Sequence, residues 1–278
     1  MSLAVLCFAV LDSLSKYLTR YYTVSGLVWA RYTVHVLLML VLFGPRMRFG
    51  LLRTAQPKLQ VLRALCLLGA SLFMISGLRY IPLAEATAIN FVTPLLVIAL
   101  SVPLLGEKVD GRDWLAVLLG FVGVLIIVRP GSALLTLAAL LPLACAVCNS
   151  LYQIITRKFR GAENPTTTNF ITGLVGSALM TFTLPFSWVT PTPTHALLMV
   201  CMGVAGVSGH YLLIKAFERA APAVLGPFSY GQLLWATLLG YVVFGALPDA
   251  GSLVGMAVIA ASGLSVTYHH IMRPRRRA

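Results

Sequence analysis

RYIPLAEATAINFVTPLLVIALSVPLLGE, the stretch from Arg79 to Glu107, decides the fold because the chain repeats its plan half a chain length later. Each copy opens on an arginine with a proline three residues on, continues as an apolar run and closes on a glycine. The matched positions are Arg79 and Arg219, Pro82 and Pro222, Asn90 and Tyr230, Gly106 and Gly245, and Gly123 and Gly263. Such a repeat predicts a duplicated unit, with halves at 1–130 and 131–272 and a basic tail at 273–278.

The composition points to lipid rather than water as the main solvent of this chain. Of its 278 residues, 59% are hydrophobic and 10% are charged, and the mean hydropathy is +0.89. A soluble domain is roughly half apolar and a quarter charged, so this chain cannot cover a folded core with polar surface. We therefore predict an all-α polytopic membrane protein.

Ten apolar runs can be drawn, each close to the roughly 20 residues that cross about 30 Å of hydrocarbon. They cover 1–18, 24–43, 59–78, 83–104, 113–129, 132–155, 167–188, 195–215, 222–245 and 250–270. We predict ten transmembrane helices, five in each half. Because five is odd, the second half enters the membrane upside down, as in inverted-repeat transporters whose substrate site lies near the midplane.

The basic residues serve as topology signals rather than as a nucleic-acid surface. The net charge is +13, but most of these side chains fall between the apolar runs or near their ends, so no nucleic-acid partner is predicted. Sixteen of them, Arg63 included, lie on the side of both termini, and four lie on the other side: Lys16, Arg20, Arg79 and Arg129. The positive-inside rule then places both termini in the cytoplasm. Arg31 remains, inside the second run.

No motif of an enzyme or a metal centre is present in the sequence. All five cysteines lie in apolar runs, and the pair Cys145-x-x-Cys148 has no second pair to complete a metal or redox site. There is no Walker phosphate loop, HExxH motif or Gly-x-Ser-x-Gly elbow. We therefore predict no enzymatic activity, no metal and no cofactor, and ATP is not the direct energy source.

These features together resemble a known family. The five-plus-five runs, the proline corners, Pro94 within the fourth run, Leu-Gly-Glu after it, and Gly120 and Gly123 in the fifth are similar to the EamA-type branch of the drug/metabolite transporter superfamily. Within that branch the chain most resembles the YddG-type exporters of aromatic and other amino acids. The resemblance implies a ten-helix fold with a central cavity in a bacterial inner membrane. Ala246 departs from it, because the first half has Glu107 there.

Charged side chains at membrane depth are candidate functional groups, because each costs roughly 2.5 to 3.5 kcal/mol to insert. Asp12 and Lys16 lie four residues apart on one helical face, so Asp12 either pairs with Lys16 or serves in coupling or substrate binding. Arg31 either pairs with Asp12 or extends its head group to the interface. Glu85 opens the fourth run, where the helix dipole favours a carboxylate. Asp12 and Glu85 are the candidate coupling residues.

Asn90 and Tyr230 are the main uncharged candidates, because they occupy matched positions near Pro94 and Pro227. A proline inside a helix frees a backbone carbonyl that can face a polar cavity. The two side chains therefore form either a symmetric pair across the cavity or hydrogen bonds between helices. The further substrate-binding candidates, several of which pack equally well as core residues, are Asn149, Tyr152, His210, Tyr211, Trp235, Phe73 and Met74.

Glycines mark two more places where helices can meet. Gly203, Gly206 and Gly209 are spaced by three, which suits either a close helix crossing or a bending point. For the fifth and tenth runs, packing within one monomer and packing between two are both open; the glycines concerned are Gly120, Gly123, Gly255 and Gly263.

The sequence predicts a secondary transporter that exports small amphiphilic metabolites, in the first place neutral and aromatic amino acids, by alternating access. An uncharged polar site suits a zwitterion, since an anion would call for more arginine or lysine at depth. Coupling to protons and facilitated transport without coupling are both open. The alternatives are export of other metabolites or drugs, and a lipid flippase.

Overall fold

Helices form the regular structure in the part of the chain that the computed structural model describes, residues 1–106, 109–129, 137–159, 163–219, 225 and 228–272. In chain order they include α1 (Ser2–Leu18), α2 (Val24–Met47), α3 (Pro57–Leu78), α4 (Leu83–Asn90), α5 (Thr93–Leu105), α6 (Gly111–Val128), α7 (Leu140–Lys158), α8 (Pro165–Thr181), α9 (Leu184–Ser187), α10 (Pro193–Arg219), α11 (Gly231–Phe244) and α12 (Ala250–Met272). Glu107, Pro222, Pro227 and the predicted tail at 273–278 lie outside the described residues.

Among the described residues, five segments are long and apolar enough to cross a membrane, which agrees with the predicted all-α polytopic membrane protein. They are α2, α3, α4 together with α5, α6, and Pro193–Leu213 in α10. Helices α1 and α8 have 17 residues each and α11 has 14, so each is shorter than the roughly 20 residues that cross the hydrocarbon core. The arrangement of ten spanning helices stays a prediction.

The fourth predicted run, 83–104, is broken in two rather than continuous. Helix α4 ends at Asn90, and α5 begins at Thr93 with Pro94 in its first turn. Pro94 has no N–H to donate to the Asn90 carbonyl, and the hydroxyl of Thr93 donates to that carbonyl instead, at 2.7 Å. The freed carbonyl that we expected to face a cavity is thus already hydrogen-bonded.

Two other predicted boundaries were wrong, and prolines explain one of them. The run at 167–188 divides into α8 and α9, which are separated by a turn before Pro185 in the first turn of α9. In the described part of the run at 132–155, a 3₁₀ turn at Leu137–Ala139 comes first and regular α-helix begins at Leu140. Apolar composition alone does not distinguish these connections from helix.

Gly106 and Gly245 end the matched helices α5 and α11 in the same way. Both have a left-handed backbone, with φ of +69° and +65°, which glycine adopts without the penalty of a Cβ. The Gly106 N–H donates to the Val102 carbonyl at 3.1 Å, and the Gly245 N–H donates to the Tyr241 carbonyl at 2.8 Å. The repeat read from the sequence therefore has a counterpart in the local backbone.

The helices pack in sets that correspond between the predicted halves. In this correspondence α1, α2, α3 and α5 of the first half match α7, α8, α10 and α11 of the second. The contact of α3 with α7 then matches that of α10 with α1, and the contact of α3 with α8 matches that of α10 with α2. The contact of α5 with α7 likewise matches that of α11 with α1. Two further pairs, α2 with α8 and α6 with α12, each join a helix to its own counterpart. The largest buried apolar cluster draws on α1, α2, α3, α8 and α10, so both halves share one core.

The glycine row of α10 packs against other helices. A Cβ at Gly203 would lie 2.5 Å from Val34 of α2, one at Gly206 would lie 2.9 Å from Leu11 of α1, and one at Gly209 would lie 2.8 Å from Phe8 of α1. All three distances are shorter than real Cβ contacts, so the absence of side chains permits the close crossing.

The fifth and tenth predicted helices, α6 and α12, approach each other backbone to backbone within this one chain. A Cβ at Gly123 would lie 2.9 Å from the Gly255 carbonyl oxygen, and a Cβ at Gly255 would lie 2.7 Å from the Gly123 carbonyl oxygen. Nearby, the Ser262 hydroxyl donates to the Ala116 carbonyl. Of the two alternatives that the sequence left open, the structure shows the one within the monomer.

Glu163, in the connection before α8, caps the start of α3. Its Oε1 accepts hydrogen bonds from the Thr54 hydroxyl at 2.7 Å and from the N–H groups of Ala55 at 2.9 Å and Gln56 at 3.1 Å. Burial acts to raise the pKa of Glu163, but these hydrogen bonds outweigh it and hold the pKa below its ordinary value of 4.5. The carboxylate therefore stabilises the fold in its charged form.

Replacing Glu163 with glutamine is expected to lower the Tm of the detergent-solubilised protein by about 2 °C at neutral pH. A lowered folded-state pKa contributes stability above the unfolded value of 4.5, and that contribution is lost as the pH falls through the folded value. The gap between wild type and E163Q in thermal unfolding should therefore close below pH 4.5. A gap that stays constant down to the acid limit of folding would contradict this role.

Candidate functional site

Asn90 and Asn149, two of the predicted site residues, meet between the halves of the chain. The Asn90 side-chain oxygen at the end of α4 accepts from the Asn149 Nδ2 of α7 at 3.2 Å and from the Cys145 thiol at 3.4 Å. Thr93 also donates to this oxygen, at 3.2 Å. The break between α4 and α5 thus presents a polar group to the partly exposed face of α7.

Asp12 is buried in α1, with 7% of its surface exposed. Its Oδ2 accepts one long hydrogen bond, 3.4 Å, from Nε2 of Gln232 in α11. Lys16 does not neutralise it, because the Lys16 ammonium donates to the carbonyls of Leu78 and Ile81 at the end of α3, both at 2.7 Å. Of the two roles considered for Asp12, pairing with Lys16 is therefore excluded.

Arg31 lies on α2 within electrostatic reach of Asp12, yet the two residues form no direct ion pair. Its Nη1 donates to the Ser71 hydroxyl of α3 at 3.0 Å. Ser71 also hydrogen-bonds the Tyr32 hydroxyl at 3.0 Å, and the Arg31 guanidinium lies 5.5 Å from the centre of the Tyr32 ring. Arg31 keeps part of its surface exposed, whereas Tyr32 is fully buried.

Arg63, which we counted among the topology signals outside the membrane core, is instead a buried residue of α3 with 4% exposure. Its guanidinium donates to the hydroxyls of Thr156 at 2.7 Å, Thr172 at 2.7 Å and Tyr152 at 2.6 Å, and to the Thr168 carbonyl at 3.3 Å. All of these acceptors are neutral. The predicted site residue Tyr152 is therefore a hydrogen-bond partner of Arg63 that joins α7 to α3.

Tyr230 lies beside the break after Asn90 but turns its hydroxyl away from it. Its ring stacks at 5.2 Å from Phe91 with an angle of 36° between the planes, within an apolar cluster of α4, α6, α11 and α12. The hydroxyl packs against Gly263 of α12, which has no side chain to obstruct it. Asn90 and Tyr230 thus lie in the same region, where α4 contacts α11, and the Phe91 ring lies against the Tyr230 ring.

The other predicted candidates lie in three different environments. Met74 is buried in the core, whereas Phe73 is 37% exposed on the same outward stripe of α3 as Leu62 and Leu65. Trp235 is half-buried on α11, three residues after Gln232 and so on the same helical face. The positions of Phe73 and Met74 suit packing, while Trp235 lies three residues after Gln232, the hydrogen-bond partner of Asp12.

His210 and Tyr211 point to different sides of α10. The His210 ring meets Phe8 of α1 edge to face at 5.0 Å, facing the interior of the bundle. Tyr211 is 45% exposed and lies 6.4 Å from the Phe43 ring of α2. His210 is therefore the one that faces α1, the helix that carries Asp12.

Glu85 is buried in the first turn of α4, at the position where the helix dipole was expected to favour it. Its Oε2 has no hydrogen-bond partner and borders a small cavity of about 10 Å³ lined by Ile81, Ile89, Ile127, Val128 and Ala139. A larger groove of about 350 Å³ lies elsewhere, between the α6 and α12 surfaces. The predicted central cavity stays a prediction.

Gln232 and Cys145 are members of this polar region that the sequence reasoning missed. Gln232 follows Tyr230 by two residues and could have been found as the polar group of the ninth run. Cys145 was considered only as half of a metal spacing. Among the described residues, no group of histidine, cysteine and carboxylate side chains could hold a metal ion.

A model described as the EamA-like transporter family matches this chain twice, over residues 1–129 and 136–268. The S-adenosylmethionine uptake transporter of Rickettsia bellii is 27% identical over 260 residues, 92% of this chain and 88% of that protein. The riboflavin transporter of Vibrio cholerae is 28% identical over 281 residues, 98% of this chain and 93% of that protein.

A solved crystal structure has the same overall fold. Its TM-score with this chain is 0.66 at 20% sequence identity, and the superposition covers 98% of this chain and 99% of the other. Likeness at this identity concerns the fold alone.

Proposed function

Because this chain belongs to the EamA-like transporter family of multi-pass membrane transporters, we propose that it moves a small organic metabolite by alternating access between two inverted halves. One observation carries the proposal. Most of the large helix contacts have a counterpart, which is found by replacing each helix of one predicted half with the matching helix of the other half. The double match of the family model supports the same division. Alternating access by inverted repeats is a recurring plan of secondary transporters.

The proposed location is a bacterial inner membrane with both termini in the cytoplasm. The orientation rests on the basic residues, sixteen against four in the predicted loops. Removing Arg63, which the structure buries, leaves fifteen against four, so the direction of the positive-inside argument is unchanged. Asp12 and Glu85 are the proposed coupling residues if transport is linked to protons, since both are buried carboxylates.

The proposed substrates are wider than the amino acids suggested by the YddG-type resemblance. The named relatives carry S-adenosylmethionine and riboflavin, and both compounds contain a planar heteroaromatic ring that an aromatic side chain can stack on. Trp235, half-buried beside Gln232 on α11, is the proposed stacking residue. Uptake, as in the Rickettsia relative, and export use the same alternating cycle.

Flux into liposomes tests the proposal directly. The purified protein should move labelled S-adenosylmethionine or riboflavin with saturation, and unlabelled substrate should compete. Asn90→Ala removes the acceptor shared by Asn149 and Cys145. It should lower the flux about tenfold, the factor that corresponds to the free energy of one hydrogen bond. Asp249→Asn, at the exposed end of α12, is the matched control and should keep the wild-type rate.

The panel should also contain tryptophan and phenylalanine, because the sequence resemblance points to aromatic amino acids. If folded protein moves none of these compounds, the proposed substrates are wrong. If flux is linear in concentration without saturation, alternating access is wrong as well.

A further inference from the structure

Two arginines lie inside the helical bundle, and their hydrogen bonding differs sharply. Arg63 donates four hydrogen bonds to neutral oxygens and is 4% exposed. Arg31 has one hydrogen bond, to Ser71, and keeps part of its surface exposed. A guanidinium has five N–H donors, so the fold uses four of the five in Arg63, whereas Arg31 keeps four for another acceptor.

Asp12 shows the same unused capacity with the opposite charge. A carboxylate has about four acceptor positions, and Asp12 uses one of them in a long bond of 3.4 Å from Gln232. The nearest lysine along the helix, Lys16, is engaged by the end of α3. Within the part of the chain that the structure describes, the ion pair formed is Arg129–Asp249, so neither Asp12 nor Arg31 has a direct partner of opposite charge there.

We propose that Asp12 and Arg31 form a split binding site for the head group of an α-amino acid, with Arg31 binding the carboxylate and Asp12 the ammonium. The inference rests on the proposed transport function and names its substrate class. A simple anion would meet the repulsion of Asp12, and a simple cation would meet that of Arg31. A zwitterion supplies an opposite charge to both, and the forked guanidinium suits a carboxylate.

The helices around Asp12 and Arg31 fit a site in which Asp12 binds the ammonium and Arg31 binds the carboxylate. Asp12 comes from α1 and Arg31 from α2, and Gln232 of α11 donates to Asp12, so helices of both predicted halves build the site. Gly206 of α10 adjoins both charged residues, since a Cβ there would lie 2.9 Å from Leu11, the neighbour of Asp12, and 3.6 Å from the Arg31 Nε. Trp235, on the Gln232 face of α11, is available to the remainder of the substrate.

The proposed site distinguishes between the two substrates named for the relatives. S-adenosylmethionine carries an α-amino and an α-carboxylate group, and riboflavin carries neither. The proposal therefore assigns this chain to amino-acid-bearing substrates, of which S-adenosylmethionine is the first to test.

The test compares S-adenosylmethionine with its decarboxylated form, which retains the amine and the sulfonium but lacks the carboxylate. Wild-type protein should bind S-adenosylmethionine, measured by titration calorimetry in detergent, at least about tenfold more tightly than the decarboxylated form. Arg31→Gln should remove this preference by weakening only the carboxylate compound. Arg31→Lys, which retains the charge without the fork, should restore part of it.

Asp12→Asn should weaken both compounds, because both carry the ammonium. Arg129→Gln removes an exposed guanidinium that pairs with Asp249 at 2.8 Å and should leave both affinities at the wild-type values. Thermal unfolding of each variant identifies misfolded protein. A structural role for Arg31 would lower both affinities together, whereas the proposed role changes their ratio.

Binding and flux distinguish the failure of this inference from the failure of the proposed function. Equal affinity of wild type for the two compounds, or an unchanged preference in Arg31→Gln, overturns the split site. Saturable flux of riboflavin without binding of S-adenosylmethionine overturns the site and leaves transport standing. Selective binding of S-adenosylmethionine without any flux supports the site and contradicts transport.

Discussion

Replacing Arg63 with leucine is expected to lower the free energy of unfolding by on the order of 3 kcal/mol. The change removes four hydrogen bonds from a charged donor and leaves the space of the guanidinium empty between α3, α7 and α8. One term opposes this loss, because an apolar side chain avoids the cost of burying a charge. The loss should dominate, since every acceptor faces the guanidinium and leucine cannot fill its volume.

Thermal unfolding in detergent measures this effect, and a decrease in Tm of about 5 °C is expected for R63L. Tyr152→Phe is the matched control, because it removes one acceptor at 2.6 Å and leaves the other three in place. Its expected cost is about 1 kcal/mol. If R63L unfolds at the wild-type temperature, or if Tyr152→Phe costs as much as R63L, the guanidinium does not hold these helices together.

Arg63 also shows where the sequence reasoning was limited. Arginine near the end of an apolar run is usually a topology signal, and nothing local distinguishes Arg63 from Arg53 or Lys58. The distinction comes from threonines more than ninety positions later, Thr156 and Thr172. Burial of a charge depends on which helices surround it, and that information is not local.

Features governed by local chemistry were predicted well. Pro94 interrupts a helix because it lacks an N–H, and Gly106 and Gly245 end helices because they accept a left-handed backbone. The repeated pattern thus predicted where the fourth and ninth runs stop, whereas the break of the fourth run after Asn90 was not predicted. Exact starts, such as Leu140 for α7, were missed because connections in this chain are as apolar as helices.

The candidate site was predicted as a set of residue types more than as a set of contacts. Asn90 and Asn149 were both candidates, but the hydrogen bond between them depends on the packing of α4 and α5 against α7. Asp12 was singled out, yet its partner Gln232 lies 220 positions away. The side-chain orientation of Lys16 could not be predicted, because the carbonyls that accept from it lie at the end of α3, which only the folded chain brings beside α1.

Gly255→Leu is expected to have an effect as large as that of R63L, for the opposite physical reason. A Cβ at Gly255 would lie 2.5 Å from Cγ1 of Ile127 and 2.7 Å from the Gly123 carbonyl oxygen. The oxygen belongs to a helical backbone and cannot rotate away as a side chain can. The whole of α12 must therefore move from α6, and overpacking of this kind costs about 3 kcal/mol or more.

The matched control is Gly44→Ala, since a Cβ at Gly44 meets no atom within 4 Å. Alanine is the better helix former by about 1 kcal/mol, so G44A should unfold at or above the wild-type temperature while G255L unfolds about 5 °C or more below it. Size-exclusion chromatography should show the same oligomeric state for both, because Gly123 and Gly255 meet within one chain. A G255L variant of wild-type stability but altered oligomeric state would place this glycine contact between monomers instead.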